Sequence, residues 1–298
     1  MDTFTREISR TFGTSASPLI DVGAIDGSIR VRGEERNDVH LQVSARIRAG
    51  SSEAADELMR QIENGIEVRG DGVKVHTSRD RGGRNNNNLF GGLRDLLNAL
   101  NDGVHVEYEL IVPRGARVEL KVVNGEAVAQ DIIGEANVQT VNGAIRLANI
   151  AGNASARTVN GKISIERCDG DVSVNQKNGD VELRQVRGRC TLRMLNGSLQ
   201  IVEAGSGVHA HSLSGEMTYR GAVRGDVSLN SAHGSIDCLV PRDARFSLDA
   251  TSHLGSVTSE LPVGEKGGDS AKGAPHVSLR SQTGSITLRA LEPAAPGA

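Results

Sequence analysis

The chain has 298 residues, with 34 basic and 37 acidic side chains spread along it and a formal net charge of -3. It therefore lacks the basic stripe that neutralises phosphates, and nucleic acid is not an expected partner. Glycine is abundant at 36 residues, aromatics make up only 2% and Trp is absent, a profile that suits many short strands joined by tight turns and disfavours aromatic stacking on sugars.

The first twenty residues contain no apolar run of signal-peptide length, and no later stretch is apolar enough to span a bilayer. The expectation is a soluble, cytoplasmic chain with no transmembrane segment, the cell surface being the alternative. Cys168, Cys190 and Cys238 are odd in number and show no CxxC spacing, so neither a disulfide framework nor a zinc site is indicated, and no cofactor is expected.

In chain order, DGSIRV at 26–31 reads as a strand entered through a turn. The stretch 51–65, SSEAADELMRQIENG, predicts a helix capped by Ser51 or Ser52 and ended by Gly65. After another strand, the Asn/Gly-rich RDRGGRNNNNLFGG reads as a connector, and residues 89–101 predict a short amphipathic helix with Leu93, Leu96, Leu97 and Leu100 on one side, suited to capping a solenoid end. Residues 1–102 form an N-terminal region continuous with a repeat domain at 103–290, and 291–298 read as a disordered tail.

The repeat dominates the domain. Gly125, Gly143, Gly161, Gly179, Gly197 and Gly215 are eighteen residues apart, Gly234 follows after one extra residue, and Gly134, Gly152, Gly170 and Gly188 sit midway. Each eighteen-residue unit thus has two nine-residue halves. Apolar residues recur two, four and seven positions after each glycine, as in Ile145, Leu147 and Ile150, then Ala154, Ala156 and Val159. The fourth repeat places Cys190, Leu192 and Leu195 likewise, while Lys177 breaks the pattern in the third.

Asn-Gly between alternating strands is ordinarily a hairpin signal. A meander gives no reason for Asn at one corner only, whereas a coil of eighteen residues stacks Asn124, Asn142, Asn160, Asn178 and Asn196 at a strand spacing of about 4.8 Å, where amides hydrogen-bond along the stack. The fold predicted is all-β, a parallel β-solenoid (single-stranded β-helix) of eighteen-residue coils, with one or two short N-terminal helices. A right-handed wind is expected from the general preference of parallel crossovers.

The DGSIRV strand, the VEYELIVPRG segment at 106–115, the Asn-Gly array and the closing TGSITL at 283–288 together resemble bacterial proteins of domain of unknown function 4097, which are labelled as proposed adhesins or β-strand-repeat proteins. The resemblance covers residues 19 to 290. It implies a β-solenoid without an established reaction and supplies no functional residue.

Candidate chemistry is sparse. The acids Asp169, Asp171, Asp180 and Asp226 lie near turns, but the GGxGxD repeat of calcium-binding rolls is missing. His209, His211 and Asp226 are weak metal candidates, two imidazoles on one strand face plus a nearby carboxylate. The three cysteines fall at inward positions and read as core. What remains is an outer face stacking Asn137, Ser155, Ser173, Thr191 and His209 beside Arg157, Asn175, Arg193 and His211, rich in short polar groups. The functional expectation is a non-enzymatic scaffold or protein-binding module acting through this face, or self-associating through its ends. A cell-surface adhesin and a polysaccharide-active enzyme are the alternatives.

Overall fold

The computed structural model describes residues 2–69, 72–76, 103–261 and 274–291. The chain divides into two compact units, Met1–Gly143 and Ala144–Ala298. The helix expected at 89–101 and the Asn/Gly-rich connector lie outside the described residues, as does the expected tail after Leu291.

The first unit contains β1 (Asp2–Gly13), β2 (Leu19–Glu34), β3 (Asp38–Ala49), α1 (Ser52–Asn64), β4 (Ile66–Arg69), β5 (Gly72–His76), β6 (Val104–Pro113), β7 (Arg117–Asn124), β8 (Ala127–Ile132) and β9 (Ala136–Asn142). The long β2 is a complete coil. Leu19 to Asp26 pair in parallel with β7, the chain turns at Gly27 with φ 137, and Gly27 to Glu34 pair in parallel with β6. The second half also pairs with β8 and the first with β5, so the DGSIRV coil is sandwiched between strands that follow it in sequence. Among the described residues three pairings depart from the parallel rule: β1 with β3, β3 with β6, and β4 with β5 are antiparallel. Ser51 caps α1 by accepting from Ala54 N at 3.3 Å. The helix buries Ala55, Met59 and Ile62, one stripe at i, i+4 and i+7. Arg6 pairs with Asp56 at 2.6 Å and Arg10 with Glu63, tying the helix to β1.

The second unit is a two-sheet solenoid. Sheet A holds β10 (Ile145–Ile150), β12 (Ile163–Cys168), β14 (Val181–Val186), β16 (Leu199–Ala204), β18 (Met217–Arg220), β20 (Ile236–Val240), β22 (Val257–Ser259) and β24 (Ile286–Ala290). Sheet B holds β11 (Ala154–Asn160), β13 (Val172–Asn178), β15 (Cys190–Asn196), β17 (Val208–Ser214), β19 (Val227–His233), β21 (Ser247–Ser252) and β23 (His276–Ser281). Pairing is parallel and in register with the sequence period: Ile145 lies beside Ile163, then Val181, Leu199 and Met217. At the far end, β23 and β24 stack directly on β19 and β20, and the earlier β21 and β22 lie outside them. The coil read last in sequence is therefore interior, and the terminal coil is the weakly patterned one, with Leu254 and Val257 exposed.

The Asn-Gly corners are built by close stacking as much as by turn geometry. Gly197 has φ 130, and a Cβ there would meet Gly179 O of the coil beneath at 1.7 Å, so no other residue fits. Asn142 Nδ2 donates to Asn124 Oδ1 at 3.0 Å in the first unit. In the second, Asn178 donates to Asn160 Oδ1 at 2.9 Å and Asn196 to Asn178 Oδ1 at 3.0 Å.

The two halves of a coil are not equivalent, which corrects part of the sequence pattern. In sheet A the residue six places after the Asn-Gly glycine is left-handed without being glycine: Asn149, Arg167 and Gln185 at φ 55, Glu203 at φ 60. That bend resets the alternation, so the seventh residue points inward, as Ile150, Cys168 and Val186 do. Sheet B strands run straight and keep a period of two, so their third inward position is the sixth: Thr158, Gln176, Met194, Ser212 and Ser231 are buried. Val159 and Leu195, predicted inward, are half-buried and exposed instead, and Lys177 is an ordinary outward residue rather than a break. Three polar members of the sixth column, Ser212, Ser281 and Gln176, cap the corner from inside. Ser212 Oγ donates to Ser214 O at 3.2 Å, Ser281 Oγ to Gly234 O at 3.0 Å, and Gln176 Nε2 to Gly161 O.

Candidate binding face

Sheet B of the second unit presents three outward columns. Ser155, Ser173, Thr191, His209 and Ser228 are in register in the first, and Arg157, Asn175, Arg193, His211 and Asn230 in the second. The third, in which the sequence pattern predicts Val159 and Leu195 inward and Lys177 as a break, carries Val159, Lys177, Leu195, Leu213 and Ala232. Leu195 is 44% and Leu213 49% exposed. Asn137, grouped with these residues by sequence, belongs to the first unit. It is half-buried on β9 beside Glu119 of β7.

The electrostatics of the face follow from strand composition. None of β11, β13, β15, β17 or β19 contains an Asp or Glu. Arg157, Lys177 and Arg193 are exposed, and among the described residues no carboxylate pairs with any of them. Sheet A differs: Glu182 sits between Lys162, at 2.9 Å, and Arg184, and its pKa is held below the usual carboxylate value by the hydrogen bond from Lys162 and then that from Arg184. At the outer margin of sheet B, Arg280 pairs with Asp249 at 3.0 Å. A hollow of about 510 Å³ opens there, lined by His211, Asn230, Thr251, His253 and Arg280 among others.

The turn acids are engaged in holding coils together. Asp171 Oδ1 accepts from Arg189 N at 2.8 Å, Asp180 Oδ1 from Ser198 N at 3.1 Å and Ser198 Oγ at 2.6 Å, and Asp226 Oδ1 from His276 N at 2.9 Å. Asp169 pairs with Arg187 at 2.9 Å. His209 and His211 share the outward face of β17, whereas the Asp226 carboxylate faces the next coil. Among the described residues no three His, Cys, Asp or Glu side chains form a group that could hold a metal. Cys168, Cys190 and Cys238 are buried free thiols, which burial pushes up to about 11, about 12 and about 12.

A second concavity, of about 760 Å³, follows the left-handed corner of the second unit and is lined by Asn149, Arg167, Gln185, Arg187, Glu203 and Arg224 among others. No inserted loop makes it, so sequence reasoning that looked for insertions missed it. The signal available was a column of long polar residues six places after each Asn-Gly glycine, just before an apolar one.

These features define a parallel β-solenoid whose polar side chains serve chiefly to stack its coils. Residues 20–289 match the Toastrack DUF4097 family, and the chain belongs to it. No curated protein matches the chain. Among solved structures, it is similar to a proposed lipid-binding protein from Parabacteroides distasonis, at 13% identity and TM-score 0.47, over 98% of this chain and 97% of that one. It is also similar to a proposed adhesin from Bacteroides fragilis, at 14% identity and TM-score 0.35 over 96% and 97% of the two chains. A proposed cell adhesion protein from Clostridium sporogenes gives 12% and 0.24 over 97% and 100%. Among the described residues no helix is long and apolar enough to cross a membrane.

Proposed function

We propose that this protein is a non-enzymatic β-solenoid scaffold that binds a partner protein through the outer face of sheet B in its second unit. The observation that carries the reading is the contrast in how charge is used. Arg167, Arg184 and Arg187 on sheet A and at its corner pair with carboxylates, and the turn acids hold the coils, whereas among the described residues no carboxylate pairs with Arg157, Lys177 or Arg193 on a flat face of hydroxyls and amides. Such a surface offers directional donors around a cationic centre, the composition of a recognition surface rather than of a reaction site. Carbohydrate is the less favoured ligand because both tyrosines, Tyr108 and Tyr219, are buried.

The test is photo-crosslinking in the native host, with the reactive residue at Asn175 on sheet B or at Gln200 on sheet A. The reading predicts a discrete protein adduct from position 175 and none from 200. Absence of any adduct from 175 contradicts it.

Self-association has an observation of its own, the half-exposed terminal strand β21 next to exposed Leu254 and Val257. Sedimentation that is independent of concentration, and unchanged by Leu254→Lys, would exclude this second reading.

A further inference from the structure

We infer that the partner segment is acidic and amphipathic, setting carboxylates over Arg157, Lys177 and Arg193 and aliphatic side chains against Leu195 and Leu213. This rests on sheet B being the binding face and goes on to name what binds there. The chain as a whole is net acidic at -3, yet β11, β13 and β15 each place one Lys or Arg on this face, and the five sheet B strands from β11 to β19 contain no Asp or Glu. A partner with carboxylates is therefore attracted to this face in particular, and one with cations is repelled from it.

The spacing adds a second constraint. Arg157 and Arg193 occupy one column two coils apart, about 9.6 Å at the usual strand separation. Carboxylates seven residues apart on a helix are separated by about 10.5 Å, so a helix lying along the stack meets both arginines from one face. Leu195 and Leu213, adjacent in the neighbouring column, then meet its flank.

An anionic bilayer shares the charge but fits less well. Three cations are worth about 1 kcal/mol each at such a surface, and two partly exposed leucines are too little apolar area for stable anchoring. The hydroxyls and amides of Ser173, Asn175 and Thr191 suit the directional groups of a polypeptide better.

The test is fluorescence anisotropy of the full chain with a labelled amphipathic helical peptide carrying Glu and Leu on adjacent stripes, a twin with Lys replacing each Glu, and phosphatidylglycerol vesicles. The acidic peptide is expected to bind and the basic twin not to. Binding should weaken about tenfold or more in Arg157→Glu/Arg193→Glu and about threefold in Leu195→Ser/Leu213→Ser. All four positions are outward, and unchanged unfolding midpoints verify that these variants fold. Equal binding of the basic twin, indifference to the arginine reversal, or arginine-dependent binding of vesicles but not of peptide overturns the inference. If position 175 crosslinks a protein while the acidic peptide fails to bind, the partner class is wrong and the binding face stands. If position 175 yields nothing, the face itself is wrong.

Discussion

Val186 and Leu195 each lie seven residues after a corner glycine, Gly179 and Gly188, yet Val186 is 2% exposed and Leu195 44%. Gln185, left-handed at φ 55, separates the two outcomes by turning the sheet A strand once more before Val186. No such residue precedes Leu195, and Met194 takes the inward place.

The left-handed corner carries a measurable conformational cost. Gln185→Gly should leave stability unchanged or raise it by up to about 1 kcal/mol, because glycine adopts positive φ freely. Gln200→Gly, at an ordinary outward strand position, should instead cost about 0.5–1 kcal/mol. Urea unfolding midpoints of the two variants make the comparison.

The amide ladder contributes to stability through pairs of bonds. Asn178 gives one hydrogen bond to Asn160 and receives one from Asn196, so Asn178→Ala should destabilise by about 1–2 kcal/mol. Asn175→Ala, three residues earlier but outward, should stay within about 0.5 kcal/mol.

Acid should loosen sheet A through Glu182. Lys162 and then Arg184 hold its pKa below the ordinary value of 4.5. A depressed carboxylate stabilises the fold above its unfolded pKa and ceases to do so as pH falls through the folded one. Wild type should therefore lose stability below about pH 4.5 more steeply than Glu182→Gln, as followed by thermal unfolding across pH.

The buried thiols should be silent in the native state. With Cys168, Cys190 and Cys238 raised by burial to about 11, about 12 and about 12, thiolate is scarce at neutral pH. A disulfide-exchange reagent should titrate none of the three natively and all three in guanidinium.

Much of this architecture was legible because it is periodic. The eighteen-residue interval of Gly143, Gly161 and Gly179 revealed the coil, Asn160 and Asn178 revealed the ladder, and Ser51 with Gly65 bounded the helix. Periodicity carries no information about stacking order, so nothing in DGSIRV or TGSITL disclosed that each sits inside its unit, flanked by strands from elsewhere in the chain. Their strong patterns do make sense in retrospect: interior coils are paired on both sides, whereas β22 is, among the described residues, paired on one side and tolerates a degenerate sequence. Leu195 was the costlier loss. Apolar residues at a recurring interval read as core unless the left-handed bend of sheet A is known, and Arg167 or Gln185 at that bend gives little local hint, since of the residues there only Asp131 and Asn149 are of a type that favours it. The outward columns of Ser155 and Arg157 were legible, but the leucine edge that completes the face was not.

Cysteine accessibility tests the register of the binding face most directly, because the native thiols provide a silent background. Leu195→Cys and Met194→Cys differ by one position on β15. The structure predicts rapid maleimide labelling of native Leu195→Cys and, for native Met194→Cys, protection like that of the wild-type thiols. Rapid labelling at 194 with protection at 195 would turn the strand over, return the leucines to the core and remove the proposed docking surface.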